Sequence, residues 1–173
     1  YVSTGLNKEH SARVRRYEGL KHCIETAGAK LHLYTTEISS NTELNTVDIE
    51  HKSGRELTNR CLAESPDVTA IVAVNDMVAY GVIDAIKASG KEIPQDLSVC
   101  GFDNIYPSSF RGVGLTTVEH YIIEGGQRAV RLLYEKMQPG IRPIHEQKAV
   151  TRVEFENELI VRSSTGAPPE PSS

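Results

Sequence analysis

The run Ala70-Ile71-Val72-Ala73-Val74 constrains this chain more than any other feature, because it is apolar on both faces of the extended segment it would form. A strand with one wet face alternates apolar and polar residues. A run without that alternation belongs inside a parallel sheet with helices packed on both sides. Asn75-Asp76 follows at once, supplies helix-capping residue types, and opens a helical pattern that runs to about Ser89, where Gly90 stops it. A strand feeding a helix is the repeating unit of a parallel sheet.

The same rhythm extends in both directions. After Gly5, Ser11 is positioned to cap a helix reaching about Ala27, with Val14, Tyr17, Leu20, Ile24 and Ala27 at helical spacing and Gly28 as its stop. Leu31 to Tyr34 reads as a strand, Thr35 to Asn45 as a polar loop, and Asp48 to Glu64 as a helix closing on Ser65-Pro66-Asp67. Ile93-Pro94-Gln95-Asp96 turns into a strand from Leu97 to Phe102. Asp103 to Gly114 then reads as a long loop, of the kind that carries function in compact domains. Leu115 to Val118 resumes a strand, and Tyr121 to Lys136 reads as a helix with Ile122, Ala129 and Leu133 inward. Pro139-Gly140 separates it from strands over Gln147 to Phe155 and Leu159 to Ser163, before a Pro/Ser-rich tail over 166–173 expected to be disordered. The expected fold class is α/β, a doubly wound parallel sheet with helices on both faces.

Composition narrows the function classes. A chain of 173 residues with 39% hydrophobic residues can bury one sizeable core, and a net charge of −4 offers no general attraction for phosphate backbones. No apolar run approaches the roughly 20 residues of a membrane span. Cys23, Cys61 and Cys100 lie far apart within apolar patterns and form no C-x-x-C pair, so buried thiols of a reducing, cytoplasmic compartment are expected. The opening Tyr1-Val2-Ser3 reads as the inside of a strand, which places any targeting segment outside this sequence.

In open parallel sheets, ligands bind just beyond the carboxyl ends of strands, where loops and helix amino termini converge. Asn75 and Asp76 follow one such strand and Asp103-Asn104 another. Arg16 lies just inside the helix after the opening strand, one turn before Leu20 on its inward side. Amide, carboxylate and guanidinium groups together pair with the adjacent donors and acceptors of a polyol or heterocycle. Capping alone explains Asn75 or Asp76, and a turn alone explains Asp103; neither role conflicts with ligand binding. Arg13 and Arg15 read as a solvated face. Positive charge near a helix amino terminus opposes the helix dipole, so Arg16 calls for a negative partner such as Asp103. His120 follows a strand and can reach the same crevice.

Catalytic and cofactor signatures are missing. There is no G-x-x-x-x-G-K-[ST], no G-x-S-x-G and no H-E-x-x-H. Gly112-Val113-Gly114 lacks a third glycine and precedes a strand, and the six histidines show no metal-ligand spacing. The expectation is a protein that is not an enzyme and uses no cofactor and no metal.

Six stretches in order resemble the lactose-repressor/galactose-repressor (LacI/GalR) family of bacterial transcription regulators. They are Arg16-Tyr-Glu-Gly19, Val74-Asn75-Asp76-Met-Val-Ala79-Tyr-Gly81, Ile93-Pro94-Gln-Asp-Leu-Ser98-Val99-Cys-Gly101-Phe102-Asp103, Leu115-Thr-Thr-Val118, Gly126-Gln-Arg-Ala129 and Leu159-Ile-Val-Arg162-Ser-Ser-Thr165. The resemblance implies a periplasmic-binding-protein-like effector domain of two α/β subdomains with a sugar or another polar metabolite between them. It implies that 1–117 is most of the carboxyl-terminal subdomain, 118–149 a segment crossing to the amino-terminal one, and 150–165 the returning strands. A helix-turn-helix DNA reader, a hinge helix and most of the amino-terminal subdomain would lie outside the sequence.

By position, the resemblance carries effector contacts onto Arg16, Asn75 and Asp103. Ile49 stands where many members place an aromatic platform, His120 where Gln is frequent, and Asn104 where Asp is common. Tyr80 aligns with a dimer-interface position, so a homodimer built through the helix from Met77 and the loop around Phe110 is expected. The leading reading is the sensor of a transcription regulator that reaches operator DNA only through its missing domain, with no membrane contact. The alternative is a periplasmic sugar-binding component of a transporter; the three unpaired cysteines and the Leu159–Thr165 ending favour the regulator.

Overall fold

The computed structural model describes residues 1–6, 11–36, 46–110, 112, 114–138 and 150–168. In chain order these form β1 (Val2–Ser3), α1 (Ser11–Thr26), β2 (Tyr34–Thr35), α2 (Thr46–Glu64), β3 (Ala70–Val72), α3 (Asp76–Ala88) and β4 (Ser98–Cys100). A 3-10 turn (Tyr106–Ser109), β5 (Thr117–Glu119), α4 (Ile122–Lys136) and β6 (Glu158–Ile160) follow. β1 pairs with β2 and β3 with β4, all parallel. Parallel bridges Val2 to Ala73 and Cys100 to Thr116 join the ladders in the order β2-β1-β3-β4-β5, and β6 adds an antiparallel edge on β5. The order reverses between β1 and β3, which makes that gap the topological switch point of the sheet.

The apolar run sits at the centre. Ile71, Ala73 and Val74 are buried, and α3 covers them with Val78, Ala79, Val82, Ile83 and Ile86 at helical spacing. Full burial of each Val or Ile contributes about 1.5–3 kcal/mol relative to exposure, so α3 is the helix most firmly bound to the sheet. Asn75 starts it in extended backbone, its side chain accepting from the Val78 amide, and Gly90 at φ +78° follows its end. α2 crosses α3 where two glycines meet the opposing backbone. A Cβ on Gly81 would fall inside the His51 carbonyl oxygen and 2.7 Å from the Arg55 nitrogen, and one on Gly54 would strike Val78.

The return segment closes the far edge. Ser164 is buried, its backbone exchanges hydrogen bonds with Val99 and Gly114, and its hydroxyl donates to Val99 O at 2.6 Å while accepting from the Thr116 amide. Gly166 bonds Ser98, so the described chain is held at least to that residue.

Several expectations are corrected. The second strand is Tyr34–Thr35 instead of 31–34, because only those residues reach the β1 ladder. Residues 150–155 form no strand, and the final strand is Glu158–Ile160. α4 buries none of its residues, with Ile122 58% and Leu133 51% exposed and Ala129 exposed as well, because helical periodicity identifies an apolar face but not what covers it. Cys23 is exposed, Cys61 buried and Cys100 partly buried, all as free thiols. Arg13 is not simply solvated: it donates to Thr4 Oγ1 at 2.7 Å and pairs with Glu50 of α2 at 3.0 Å. The expectations for 37–45, 139–149 and 169–173 lie outside the described residues.

Candidate functional site

At the carboxyl edge of the sheet, the ends of β1, β3 and β4 lie side by side, and Arg16 reaches across them from α1. Its Nη1 donates to the Val74 carbonyl at 2.8 Å and its Nη2 lies 3.4 Å from Asp103 Oδ1. Its guanidinium carbon stands 3.6 Å above the centre of the Phe102 ring, within the range of a cation–π contact. His120 approaches the same carboxylate from the end of β5: Nε2 is 3.0 Å from Asp103 Oδ1, and its ring tilts against Phe102 with centroids 5.1 Å apart. Arg16, Asp103 and His120 are each about a quarter exposed, so the cluster faces solvent in part. Burial raises the Asp103 pKa above its ordinary value, and the Arg16 and His120 groups oppose that shift. Among the described residues, Asp103 Oδ2 has no hydrogen-bond partner.

Asn75 adjoins this cluster through Val74. Its Oδ1 caps α3, 2.9 Å from the Val78 amide, which leaves its Nδ2 without a partner among the described residues. The dipole problem posed by Arg16 is answered by Val74 O, Phe102 and Asp103 together.

A second network backs the first. Asn104 Oδ1 accepts from Arg162 Nη2 at 2.7 Å, and its Nδ2 donates to Glu119 Oε2 at 2.8 Å. Arg162 Nη1 also donates to Leu115 O, and Glu119 Oε1 accepts from the Tyr121 amide. The Asn104 amide accepts from Arg162 and donates to Glu119 at once, whereas a carboxylate at 104 would face the Glu119 carboxylate with no proton to offer. The Asn104 and Tyr121 donors hold the Glu119 carboxyl below its usual range. Asp103 and Asn104 have φ of +114° and +49°. Non-glycine residues in such regions store roughly 1–3 kcal/mol each.

The arrangement gathers donors and acceptors of several geometries at neighbouring strand ends, chemistry suited to a polar molecule. Among the described residues, no group of three or more His, Cys, Asp or Glu side chains is arranged to hold a metal ion.

The model of the periplasmic binding protein-like domain family matches residues 2–165. The chain belongs to that family. Within it, the relatives identify a LacI/GalR-type effector-binding domain. The HTH-type transcriptional repressor PurR of Mannheimia succiniciproducens is 31% identical over 164 residues, covering 95% of this chain and 44% of the repressor. A LacI-family regulator from Enterococcus faecium solved with bound ribose superposes with a TM-score of 0.73 at 27% identity, over 97% of this chain and 56% of that one. A LacI-family regulator from Corynebacterium glutamicum gives a TM-score of 0.69 at 27% identity, over 90% of this chain and 54% of its own. The chain thus spans about half the length of the relatives it matches.

For this LacI/GalR-type domain, the structure brings Arg16, Asp103 and His120 into one contact network, with Asn75 beside it. Ile49 lies near the start of α2, partly buried, next to the Glu50 that pairs with Arg13; no hydrogen bond or ring contact joins it to the cluster. Met77 and Tyr80 are partly buried on α3, and the Tyr80 hydroxyl lies 2.9 Å from Ser108 Oγ. Phe110 is 48% exposed and packs edge-to-face on Tyr106, itself 80% exposed, as an aromatic knob on the surface. Sequence reasoning missed Phe102, Arg162, Glu119 and the role of Asp76. Phe102 ends the strand that delivers Asp103, which was a usable signal; the convergence of Arg162 and Glu119 on Asn104 depends on the antiparallel return of the chain and had none.

Proposed function

We propose that this chain is the small-molecule-sensing part of a cytoplasmic, homodimeric transcription regulator, that it binds a sugar or another polar metabolite at the β1/β3 switch point, and that it is not an enzyme. One observation carries the reading: Arg16 spans the switch point, held at once by Val74 O, the Phe102 ring and Asp103, beside a carboxylate oxygen and an Asn75 amide nitrogen that have no partner among the described residues. A guanidinium, a carboxylate and an amide at neighbouring strand ends suit adjacent hydroxyls or ring nitrogens. The repressor relatives support the regulator over a transport component, and the ribose held by the Enterococcus faecium protein supports a polyol of that kind. Operator DNA would be read by a helix-turn-helix outside this sequence, since the net charge here is −4. Ligand binding would act at a distance by favouring one cleft geometry over another.

A thermal-shift screen of sugars, nucleobases and phosphorylated metabolites on the full-length protein identifies the effector, and calorimetry then tests the site. Asp103→Ala and Arg16→Ala are each expected to cost on the order of 2–4 kcal/mol of binding, and the double variant less than the sum because the two share one network. Wild-type affinity in both single variants would place the pocket elsewhere.

A further inference from the structure

Asp76 is fully buried, so a ligand at the proposed site would not touch it, yet it holds the strand end that presents Asp103. Its own amide donates to the Phe102 carbonyl at 2.8 Å, and its Oδ2 accepts from the Ile105 amide at 3.0 Å. Those two bonds bracket Asp103 and Asn104, two of the three described non-glycine residues with positive φ. The carboxylate is further fixed by Ser108 Oγ and Thr117 Oγ1, each at 2.6 Å, and Ser108 accepts in turn from the Tyr80 hydroxyl. Non-glycine residues keep such conformations only when their surroundings over-determine them. Here one residue supplies the bond on each side of the pair.

We infer that Asp76 is the positioning residue of the candidate ligand site: its amide and carboxylate clamp Asp103 and Asn104 in left-handed backbone and so aim the Asp103 carboxylate at Arg16 and His120. The inference rests on the proposed ligand role of Asp103, but the clamp itself is independent of any ligand. A carboxylate suits the position because three donors converge on its two oxygens. An amide serves as well if its oxygen faces Ile105 and Ser108 while its NH2 donates to Thr117 Oγ1, since a hydroxyl accepts as readily as it donates. Alanine keeps the amide bond to the Phe102 carbonyl but offers no acceptor to Ile105.

The test is NMR of the full-length protein without ligand, since a residue with positive φ shows a strong intraresidue amide–Hα contact. Wild type and Asp76→Asn are expected to show it at both Asp103 and Asn104, and folded Asp76→Ala to lose it at both. Ser108→Ala, which removes a different bond to the same carboxylate, is expected to retain both. Retention in folded Asp76→Ala overturns the inference, as does equal loss in Asp76→Asn, because then the acceptor facing Ile105 is not what holds the pair. Should Asp76→Ala fail to fold, wild-type hydrogen exchange decides: the Ile105 amide is expected to exchange as slowly as the amides of α3, and loop-like exchange overturns the clamp. A fruitless ligand screen would count against the proposed function and leave this inference standing.

Discussion

Replacing Gly81 by alanine tests the packing that holds α2 on α3. In an open helix the change stabilises by about 0.5–1 kcal/mol, because alanine loses less conformational freedom on folding. At Gly81 the added Cβ meets backbone: it falls inside the His51 carbonyl oxygen, 2.7 Å from Arg55 N and 3.0 Å from the His51 carbonyl carbon. No side chain can swing aside, so the two helices must separate by roughly an ångström while α3 stays seated on the sheet. Overpacking of this kind costs about 1–3 kcal/mol and occasionally more, and a rigid obstacle puts Gly81 at the upper end. The net expectation is a loss of about 2 kcal/mol after the gain in helix propensity. For a chain of this size that lowers Tm by roughly 4–8 °C. Gly19, in α1, is the control: a Cβ there would meet nothing within 4 Å among the described residues, and Gly19→Ala should raise stability. Urea and thermal unfolding of both variants measure the difference. If Gly81→Ala proves as stable as Gly19→Ala, the close helix crossing does not exist in solution and the reasoning is wrong.

Asn75→Ala should lose the cap on α3, worth about 1 kcal/mol by urea unfolding, and weaken effector binding as well, so each titration needs its own melting curve. Burial raises the Asp76 pKa above its ordinary value of 3.8, which means the folded protein binds that proton more tightly than the unfolded chain. Its contribution to stability is therefore present at low pH and lost as pH rises through the folded pKa. The stability of Asp76→Asn minus that of wild type should increase from pH ~4 to pH ~7, and a flat difference would show no such shift. Tyr80→Asp should reduce self-association in sedimentation at equal concentration, with unchanged mass counting against an interface there.

The legible parts of the sequence were those where one local signal decides. The unbroken apolar run of β3 demanded cover on both sides, and Asn75 after it supplied a capping residue for the helix that follows. Arg16 and Asp103 were legible for a related reason, since strand ends in a parallel sheet locate a crevice before any distance is known. Long-range registration left no comparable mark. The Arg162–Asn104–Glu119 chain joins residues brought together by the antiparallel edge, and Asp76 looked like a second capping residue beside Asn75 although its carboxylate faces inward to Ser108 and Thr117. α4 shows the limit of periodicity itself, because its apolar stripe was correctly spaced and wrongly placed in the core. Cys23 lay in an apolar pattern and is nonetheless exposed.

In the proposed site, the three-way grip on Arg16 changes what a ligand would have to do on arrival. A free arginine side chain carries about 2 kcal/mol of rotamer entropy, and most of it is already gone here, lost on folding to Val74 O, the Phe102 ring and Asp103. The proposed site is thus preorganised: its cation is already held before any encounter, so capture would require desolvation but little side-chain ordering. Lysine at this position would keep the charge and surrender the geometry, because an ammonium has no planar face to lie on Phe102 while its donors reach both the carbonyl and the carboxylate.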